Sequence, residues 1–339
     1  MRVLCLDGPY FLKALERLGC ETLSVGQWSG ADVRLEKALS LAGLLRLLDA
    51  RGFEPEAALW ADDGRPPSVA GLELLPWPTI AYSIDQYLNP WHVPFCNAFD
   101  AALVAQKDYL PLFAPEHKGP LRWMPLFADP LPGAIPPPAR DIPASFVGTL
   151  DSPANPGRRP FLEAFRRHAP LAVLTGDYRS VFARSRLALN QSAAGELNFR
   201  VFQAMAEGAA LLTEDAANGL RDLFTPGRHL LVYPRGDHRA AAALAQQALA
   251  DPGLEELARA GQAEVLARHR VDHRAQEIVR LFEELARAQV HRARFSDMGR
   301  SRRLMATAYR ILATDPQLPL PPELRAFYLE LAHAGGDAR

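Results

Sequence analysis

Two arginines at a predicted helix start, and a polar loop that leads into another helix, are well suited to bind an anion. Arg158 and Arg159 begin the first helix, while Gly195 and Glu196 lie in the loop before the second. A helix N-terminus offers backbone N–H groups and the positive end of a dipole, and a guanidinium adds a full charge. This combination suits a phosphate. The alternative is that the arginine pair is a surface feature beside Glu163.

Apolar periodicity places this loop in a segment of alternating strands and helices. Apolar side chains at residues 199–206 repeat at helical spacing, and Gly208 ends the predicted helix. Short apolar runs predict strands at residues 187–189, 209–213 and 230–233. This order is typical of a parallel α/β sheet, in which ligands bind outside the carboxyl ends of the strands. We therefore expect a phosphate to contact the backbone N–H groups of residues 196–199.

The same segment resembles a known protein family. Residues 198–213 follow the pattern N-x-R-x-F-x-A-M-A-x-G-A-x-L-L-T. This pattern is similar to the donor-binding half of the group 1 glycosyltransferases, and in particular to the CgeB-like (spore-maturation-type) branch. The resemblance implies an α/β fold of the GT-B type, with two Rossmann-like domains facing a cleft and additional C-terminal helices. It also implies that a nucleotide-sugar donor binds mainly to the C-terminal domain.

Several site residues follow from this resemblance. Gly148, in the sequence F-V-G, and the basic residue Arg158 or Arg159 correspond to the diphosphate site of the family. Asn198 and Phe199 fall in the loop and helix start next to the donor. Arg200 either assists in binding the diphosphate or forms a salt bridge with Glu196. The resemblance thus implies a donor site formed by Gly148, Arg158, Arg159, Glu196, Asn198, Phe199 and Arg200.

The chain departs from the family at an acidic pair. Many retaining members carry two glutamates separated by seven residues, and the second contacts the ribose of the donor. Here the second position is Gln203, the first is Gly195, and Glu196 is displaced by one. A glutamine can still hydrogen-bond to a hydroxyl, although it carries no charge. We expect Gln203 to contact the ribose, and neither retention nor inversion of the anomeric configuration follows.

In the N-terminal half, a polar and aromatic segment follows a strand predicted at residues 78–84. It begins with Asp85 and ends with Trp91 and His92, and a similar segment occurs in the CgeB-like proteins. Asp85 could act as the base toward an acceptor hydroxyl, and His92 could orient groups or stabilise charge at the reacting centre. The alternative is that Asp85 caps a turn while Trp91 and His92 pack against their domain.

A chain of 339 residues suits two domains and a remainder. We predict an N-terminal Rossmann-like domain on the acceptor side (residues 1–128), a proline-rich linker (129–143), a nucleotide-sugar-binding domain (144–290) and a helical tail (291–339). The tail either packs back onto the first domain or forms a helical hairpin for a protein partner.

Composition excludes several classes of partner. The net charge of −1 argues against nucleic acid or an anionic membrane held by bulk electrostatics.

Three widely spaced cysteines predict buried thiols rather than disulfides or a zinc site. The acidic pair Asp62 and Asp63 is either a turn or a metal site, and the turn is the simpler interpretation. Without a signal peptide or transmembrane segment among these residues, we expect a cytoplasmic protein.

The predicted activity is the metal-independent transfer of a sugar from a nucleotide-diphosphate-sugar donor to a glycan, protein or small-molecule acceptor. No cofactor other than this donor is expected. One alternative is a non-catalytic sugar-nucleotide-binding or scaffold protein, which Gln203 and the helical tail favour. The other is a sugar-nucleotide epimerase of the same two-domain fold.

Overall fold

The chain divides into two compact units in the computed structural model, which describes residues 1–130 and 138–336. The N-terminal unit comprises Met1–Met124 and Arg274–Arg339, and the C-terminal unit comprises Pro125–His273. Residues 131–137 of the predicted linker lie outside the described residues, and its residues 142 and 143 already belong to a strand. Residues after 273, which we had divided between the second domain and a tail, group with the N-terminal unit.

Strands and helices alternate along most of the described chain. The strands are β1 (Arg2–Asp7), β2 (Glu21–Gly26), β3 (Val33–Arg34), β4 (Leu39–Ser40), β5 (Ala57–Ala61), β6 (Val69–Ala70), β7 (Thr79–Ser83), β8 (Ala101–Val104), β9 (Leu121–Trp123), β10 (Ile142–Val147), β11 (Ala172–Leu174), β12 (Ser185–Asn190), β13 (Ala210–Glu214) and β14 (Leu231–Tyr233). The α-helices are α1 (Leu12–Arg17), α2 (Leu41–Ala50), α3 (His92–Asn97), α4 (Leu110–Phe113), α5 (Arg158–Arg166), α6 (Tyr178–Arg184), α7 (Phe199–Ala206), α8 (Leu220–Leu223), α9 (His238–Ala250), α10 (Leu254–Arg268), α11 (Val271–Ala288), α12 (Val290–Ser296), α13 (Met298–Thr314) and α14 (Pro322–Gly336). Two 3-10 helices lie at Leu72–Leu74 and Lys107–Tyr109.

Each unit is built on one parallel, doubly wound sheet. The main sheet of the N-terminal unit has the order β3-β2-β1-β5-β7-β8-β9, and β4 pairs separately with β6. The sheet of the C-terminal unit has the order β11-β10-β12-β13-β14. The winding direction reverses between β1 and β5 in the first sheet and between β10 and β12 in the second. Ligands of such sheets bind at these switch points, outside the carboxyl ends of the strands.

Central strands are buried along their whole length, as expected for a parallel sheet covered on both faces. All five residues of β5 and of β7 are buried. Short apolar runs therefore predicted the strands well, because neither face needs polar residues.

The apolar periodicity of residues 35–50 predicts one long helix, and this prediction is wrong in its first part. Leu39 and Ser40 form β4, which pairs with β6, and α2 begins only at Leu41. The Ser40 side chain accepts a hydrogen bond of 3.2 Å from the Gly43 backbone N–H and so acts as the N-cap. Strand pairing and this cap outweigh the apolar periodicity of the preceding residues.

The helices α13 and α14 pack on the N-terminal unit. Their apolar side chains belong to the same buried cluster as the core of the main sheet. The Tyr309 hydroxyl accepts a hydrogen bond of 3.1 Å from the Gly71 backbone, and the Tyr328 hydroxyl donates one of 3.0 Å to the Pro67 carbonyl. These contacts favour the account in which the tail packs back onto its own chain.

Arg294 of α12 is a buried cation that ties this helix to the sheet. Its Nε lies 3.0 Å from Asp100 Oδ1. Its remaining N–H groups donate to the carbonyl oxygens of Glu73, Leu75 and Trp77 at 2.6 to 2.9 Å. In place of water, the buried guanidinium thus has one charged and three neutral hydrogen-bond acceptors.

We predict that Arg294→Met lowers the free energy of unfolding of the N-terminal unit by about 3–5 kcal/mol, because Asp100 would remain buried without its cation. All five tryptophans lie between residues 28 and 123, so tryptophan fluorescence in urea reports on this unit specifically. Arg292→Met, at an exposed position of the same helix, is the matched control. Equal urea midpoints for the two variants would contradict the assignment.

Candidate functional site

The switch point of the C-terminal sheet is spanned by the side chain of Arg200, which lies in the first turn of α7. Arg200 Nε donates to the Val147 carbonyl at the end of β10, and Nη1 donates to Asn190 Oδ1 at the end of β12, both at 2.8 Å. The guanidinium also lies over the Phe146 ring, 4.4 Å from its centroid. Among the described residues, no carboxylate is within salt-bridge distance of Arg200. The predicted alternative of a salt bridge with Glu196 is therefore not the one adopted.

The structure places Arg158 and Arg159, which the sequence did not distinguish, in different surroundings. Arg158 lies over the same Phe146 ring, 5.7 Å from its centroid, and donates to the Thr149 carbonyl at 2.8 Å and to Gln191 Oε1 at 3.1 Å. Arg159 is exposed and forms a bidentate pair with Asp151 at 2.5 and 2.8 Å. Only Arg158 is brought together with Arg200.

Two guanidiniums near one aromatic ring create a concentration of positive charge. Loss of hydration, and then the nearby Arg158 charge, lower the pKa of Arg200 to about 9. Arg200 is still protonated at neutral pH, so the repulsion between the two cations is retained. A bound anion would relieve this repulsion, which is why such clusters mark functional sites.

Gly148 allows Arg200 to reach its position. A Cβ atom at residue 148 would lie 2.3 Å from Arg200 Nη2, closer than any non-bonded contact permits. The glycine that the sequence placed in the diphosphate site is therefore required for the position of the guanidinium, whether or not its backbone contacts a ligand.

An acidic side chain of the predicted phosphate loop binds backbone N–H groups of the same loop. The Glu196 carboxylate is buried and accepts hydrogen bonds from the backbone N–H groups of Ala193, at 2.9 Å, and Ala194, at 2.6 Å. Gly195 has a φ of 84°, and its N–H donates to Ser192 Oγ at 3.2 Å. Glu196 and Gly195 thus shape the loop, and the positive charge beside it comes from arginine side chains.

Asn198, Phe199 and Gln203 are close in sequence but differ in surroundings. Asn198 is the N-cap residue of α7, although its side chain makes no capping hydrogen bond. Phe199 packs edge-on against Phe127, with ring centroids 5.4 Å apart. Gln203 is partly exposed, and its side-chain amide makes no hydrogen bond within the described part of the chain. It lies one turn after Arg200, on the same face of α7.

Sequence reasoning missed the polar residues at the ends of β12 and β13. Asn190 accepts from Arg200 and donates to Thr213 Oγ1 at 2.9 Å. Glu214 is buried and accepts from the N–H and the hydroxyl of Ser192 at 3.0 and 2.6 Å. A polar residue as the last member of a buried strand was the signal, because such a residue sits at the ligand-binding edge.

Buried carboxylates lie beside the switch point of the N-terminal sheet. Asp7 ends β1 with a φ of 64° and accepts hydrogen bonds from Trp60 Nε1 at 2.7 Å and from the N–H and hydroxyl of Ser68. Burial raises the pKa of Asp7 to about 7, even though these hydrogen bonds oppose the rise. Asp7 was not among the site residues predicted from the sequence.

Asp62, immediately after β5, holds two loops together. Its carboxylate accepts from the backbone N–H of Gly64 at 2.8 Å, Ile84 at 3.2 Å and Asp85 at 2.8 Å. Asp63 accepts from the Arg65 N–H at 3.1 Å. The contacts to Gly64 and Arg65 are those of a turn, which was the favoured interpretation of the acidic pair, while those to Ile84 and Asp85 connect this turn to the loop after β7. Within residues 1–130 and 138–336, no cluster of three histidine, cysteine or acidic side chains could hold a metal ion.

Asp85 and His92, the predicted catalytic residues, occupy different environments. Asp85 is partly exposed, and its Oδ1 accepts a hydrogen bond of 2.9 Å from the Tyr87 hydroxyl. His92 begins α3 with an exposed fraction of 0%. Its Nδ1 is 3.0 Å from Ser83 Oγ, and its Nε2 is 3.7 Å from Asp62 Oδ1. Burial lowers the pKa of His92. The structure therefore favours the packing alternative for His92, whereas the role of Asp85 stays a prediction.

Comparison with known proteins bears on the C-terminal unit most directly. Residues 144–280 match a family model described as "Glycosyl transferase-like", which is less than half of the chain. No curated protein matches the chain in sequence. In the described residues, no helix is both long and apolar enough to cross a membrane.

Solved structures resemble most of the chain in fold. A sucrose-phosphate synthase from Thermosynechococcus elongatus has a TM-score of 0.60 at 13% identity, over 85% of this chain and 99% of that one. Anabaena HepE in complex with UDP and glucose has a TM-score of 0.61 at 14% identity, over 84% and 100%. A glycosyltransferase from Rickettsia africae has a TM-score of 0.61 at 8% identity, over 84% and 98%.

The chain has the GT-B fold. This confirms the predicted fold class, and the family match confirms a glycosyltransferase-like C-terminal unit. The narrower resemblance to the CgeB-like branch stays a prediction.

We predict that the raised pKa of Asp7 makes the N-terminal unit less stable as pH rises from about 4 to about 7. The folded state holds this proton more tightly than the unfolded chain, so its stabilising effect is lost once the pH passes the folded pKa. Asp7→Asn removes the charge, keeps one acceptor oxygen for the Trp60 and Ser68 N–H groups and places an NH2 donor opposite the Ser68 hydroxyl oxygen, and it should remove roughly 1–4 kcal/mol of this pH dependence. Urea unfolding followed by tryptophan fluorescence at several pH values measures it. The exposed variant Asp49→Asn should leave the dependence intact, and an equal effect of both variants would refute the assignment.

Proposed function

We propose that the chain is a glycosyltransferase of the CgeB-like type that takes its sugar from a nucleotide-diphosphate-sugar donor. The observation that carries this proposal is the pairing of Arg158 and Arg200 around Phe146 at the β10–β12 switch point. Support also comes from the family match of this unit and from fold neighbours such as HepE, which has been solved in complex with UDP-glucose. The acceptor is a glycan, a protein or a small molecule.

Arg158 and Arg200 bind the donor diphosphate in this proposal. Guanidiniums form strong, directional hydrogen bonds with phosphate oxygens. Negative charge grows on the diphosphate as its bond to the sugar breaks, so fixed cations stabilise the transition state more than the ground state. With this charge supplied by arginines, the transfer proceeds without a metal ion.

Gln203 binds the ribose of the donor. Its amide makes no hydrogen bond within the described residues, and its position one turn after Arg200 places it on the same face of α7. Asp85 is the group to which we assign proton transfer. The acceptor hydroxyl oxygen bonds to the anomeric carbon, its proton goes to the Asp85 carboxylate, and the diphosphate leaves with the electron pair of the broken bond.

The competing function is that of a non-catalytic sugar-nucleotide-binding protein. Gln203 is the observation that favours it, because the acidic residue found at this position in many relatives is missing. Both functions require the arginine pair, so binding alone does not separate them.

The first test of the donor site compares two adjacent arginines. We expect one nucleoside diphosphate among UDP, GDP, dTDP and ADP to raise the melting temperature of the wild type in buffer with EDTA, because a ligand at a hundred times its Kd stabilises the folded state by about 2.7 kcal/mol. Arg158→Gln should abolish the shift. Arg159→Gln is the matched control, since its side chain pairs with Asp151 at the surface, and should retain it. A shift that survives in Arg158→Gln, or that needs Mg²⁺, would count against this site.

The second test addresses Gln203. Gln203→Met keeps the side-chain length but removes the hydrogen bond, and should weaken binding of the selected nucleotide by about two- to tenfold. Gln203→Glu adds a charge and should change the rate of donor turnover, measured as release of the nucleotide from its sugar conjugate. If the wild type releases no nucleotide and Gln203→Glu alters affinity only, the protein is a binder rather than a transferase.

A further inference from the structure

A cavity lies at the edge of the C-terminal sheet opposite the proposed donor site. It has a volume of about 530 Å³. Arg186 is the second residue of β12, and Gly208 precedes β13, so the cavity is at the amino ends of these strands. The residues that line it are Arg140, Arg186, Gly208, Leu254, Glu255, Ala258, Arg259 and Gln262. The proposed donor site, in contrast, lies at the carboxyl ends.

Three arginines in this cavity are oriented by carbonyl oxygens. Arg140 Nη1 donates to Ser185 at 2.7 Å, Arg186 Nη2 donates to Leu249 at 3.1 Å, and Arg259 Nε donates to Glu255 at 3.4 Å. None of the three forms an ion pair with another described residue. A carbonyl fixes a guanidinium without neutralising it, so the charges remain available to a ligand.

The surrounding residues are compatible with a built site. Gly208 has a φ of 79°, and a Cβ atom there would lie 2.5 Å from Arg140 Nη2, so the absence of a side chain lets this guanidinium approach. Gln262 Nε2 donates to the Ala206 carbonyl at 2.9 Å. Leu254 and Ala258 provide an apolar wall. The volume is within the range of small-molecule sites.

We propose that this cavity binds a small phosphorylated molecule, separate from the sugar-nucleotide donor. Three guanidiniums and the single lining carboxylate, Glu255, give a net charge of about +2, which matches a phosphate monoester dianion. The phosphate contacts Arg140, Arg186 and Arg259, and the organic part lies against Leu254 and Ala258. A monocarboxylate would leave one positive charge uncompensated.

Titration calorimetry with phenyl phosphate tests this site, since the probe carries a phosphate monoester and an apolar group. We expect Arg186→Gln/Arg259→Gln to weaken binding at least tenfold, because two charge-assisted contacts are lost. Arg259→Gln alone, at an exposed position where folding is not at risk, should weaken it in the same direction. Arg268→Gln is the control on the same helix, since Arg268 pairs with Glu264 outside the cavity.

Arg158→Gln separates the two sites of the unit and should leave phenyl phosphate binding unchanged. The proposal is overturned if the wild type does not bind phenyl phosphate at millimolar concentration, or if the double variant binds it as the wild type does. It is also overturned if Arg158→Gln abolishes binding, because the probe would then occupy the switch point of the sheet.

Discussion

One guanidinium joins two neighbouring strands at the carboxyl edge of the C-terminal sheet. Arg200 donates to the last residue of β10 and to the last residue of β12, across the place where the winding of the sheet reverses. Because its hydrogen bonds go to neutral acceptors, the side chain is fixed but its charge is not cancelled. Phe146 and Gly148 make this geometry possible, the first by its ring face and the second by its missing side chain.

The sheets of the two units are both doubly wound, but their switch points carry different ionisable groups. At the β1–β5 switch point, Asp7 and Asp62 end or follow their strands and are buried among backbone and side-chain donors. At the β10–β12 switch point, the corresponding edge carries Arg200 and Arg158. A cationic edge suits a diphosphate, whereas an acidic edge suits hydroxyl groups that donate hydrogen bonds or protons. The two switch points thus differ in the chemistry of their charged groups, although both lie at the carboxyl edge of a doubly wound sheet.

Local sequence determined some features fully and others only in combination with distant residues. Helix α7 was predicted with its observed bounds, because its apolar periodicity and the terminal Gly208 agree. Which of Arg158 and Arg159 lies beside Arg200 could not be predicted from the sequence. It depends on the ion pair between Asp151 and Arg159 and on the contact of Arg158 with the Phe146 ring of β10.

Glu196 and His92 illustrate a further limit of sequence reasoning. Both have side chains that could act on a ligand, but Glu196 binds amides of its own loop and His92 is enclosed in the aromatic core. Residue type indicates what a group can do, whereas its direction is set by tertiary contacts that neither spacing nor propensity encodes. The same reason hid Asp7, whose significance depends on Trp60 and Ser68, more than fifty residues away.

The replacement of an acidic residue by Gln203 has a physical consequence for the arginine pair. A glutamate at this position would stand three residues after Arg200 on the same helical face, where opposite charges interact. It would thereby draw part of the guanidinium charge away from a bound diphosphate. In the proposed donor site, a glutamine would leave both cations to the ligand, at the expense of a weaker, neutral hydrogen bond to the ribose. Such a site would be weighted toward recognition of the diphosphate.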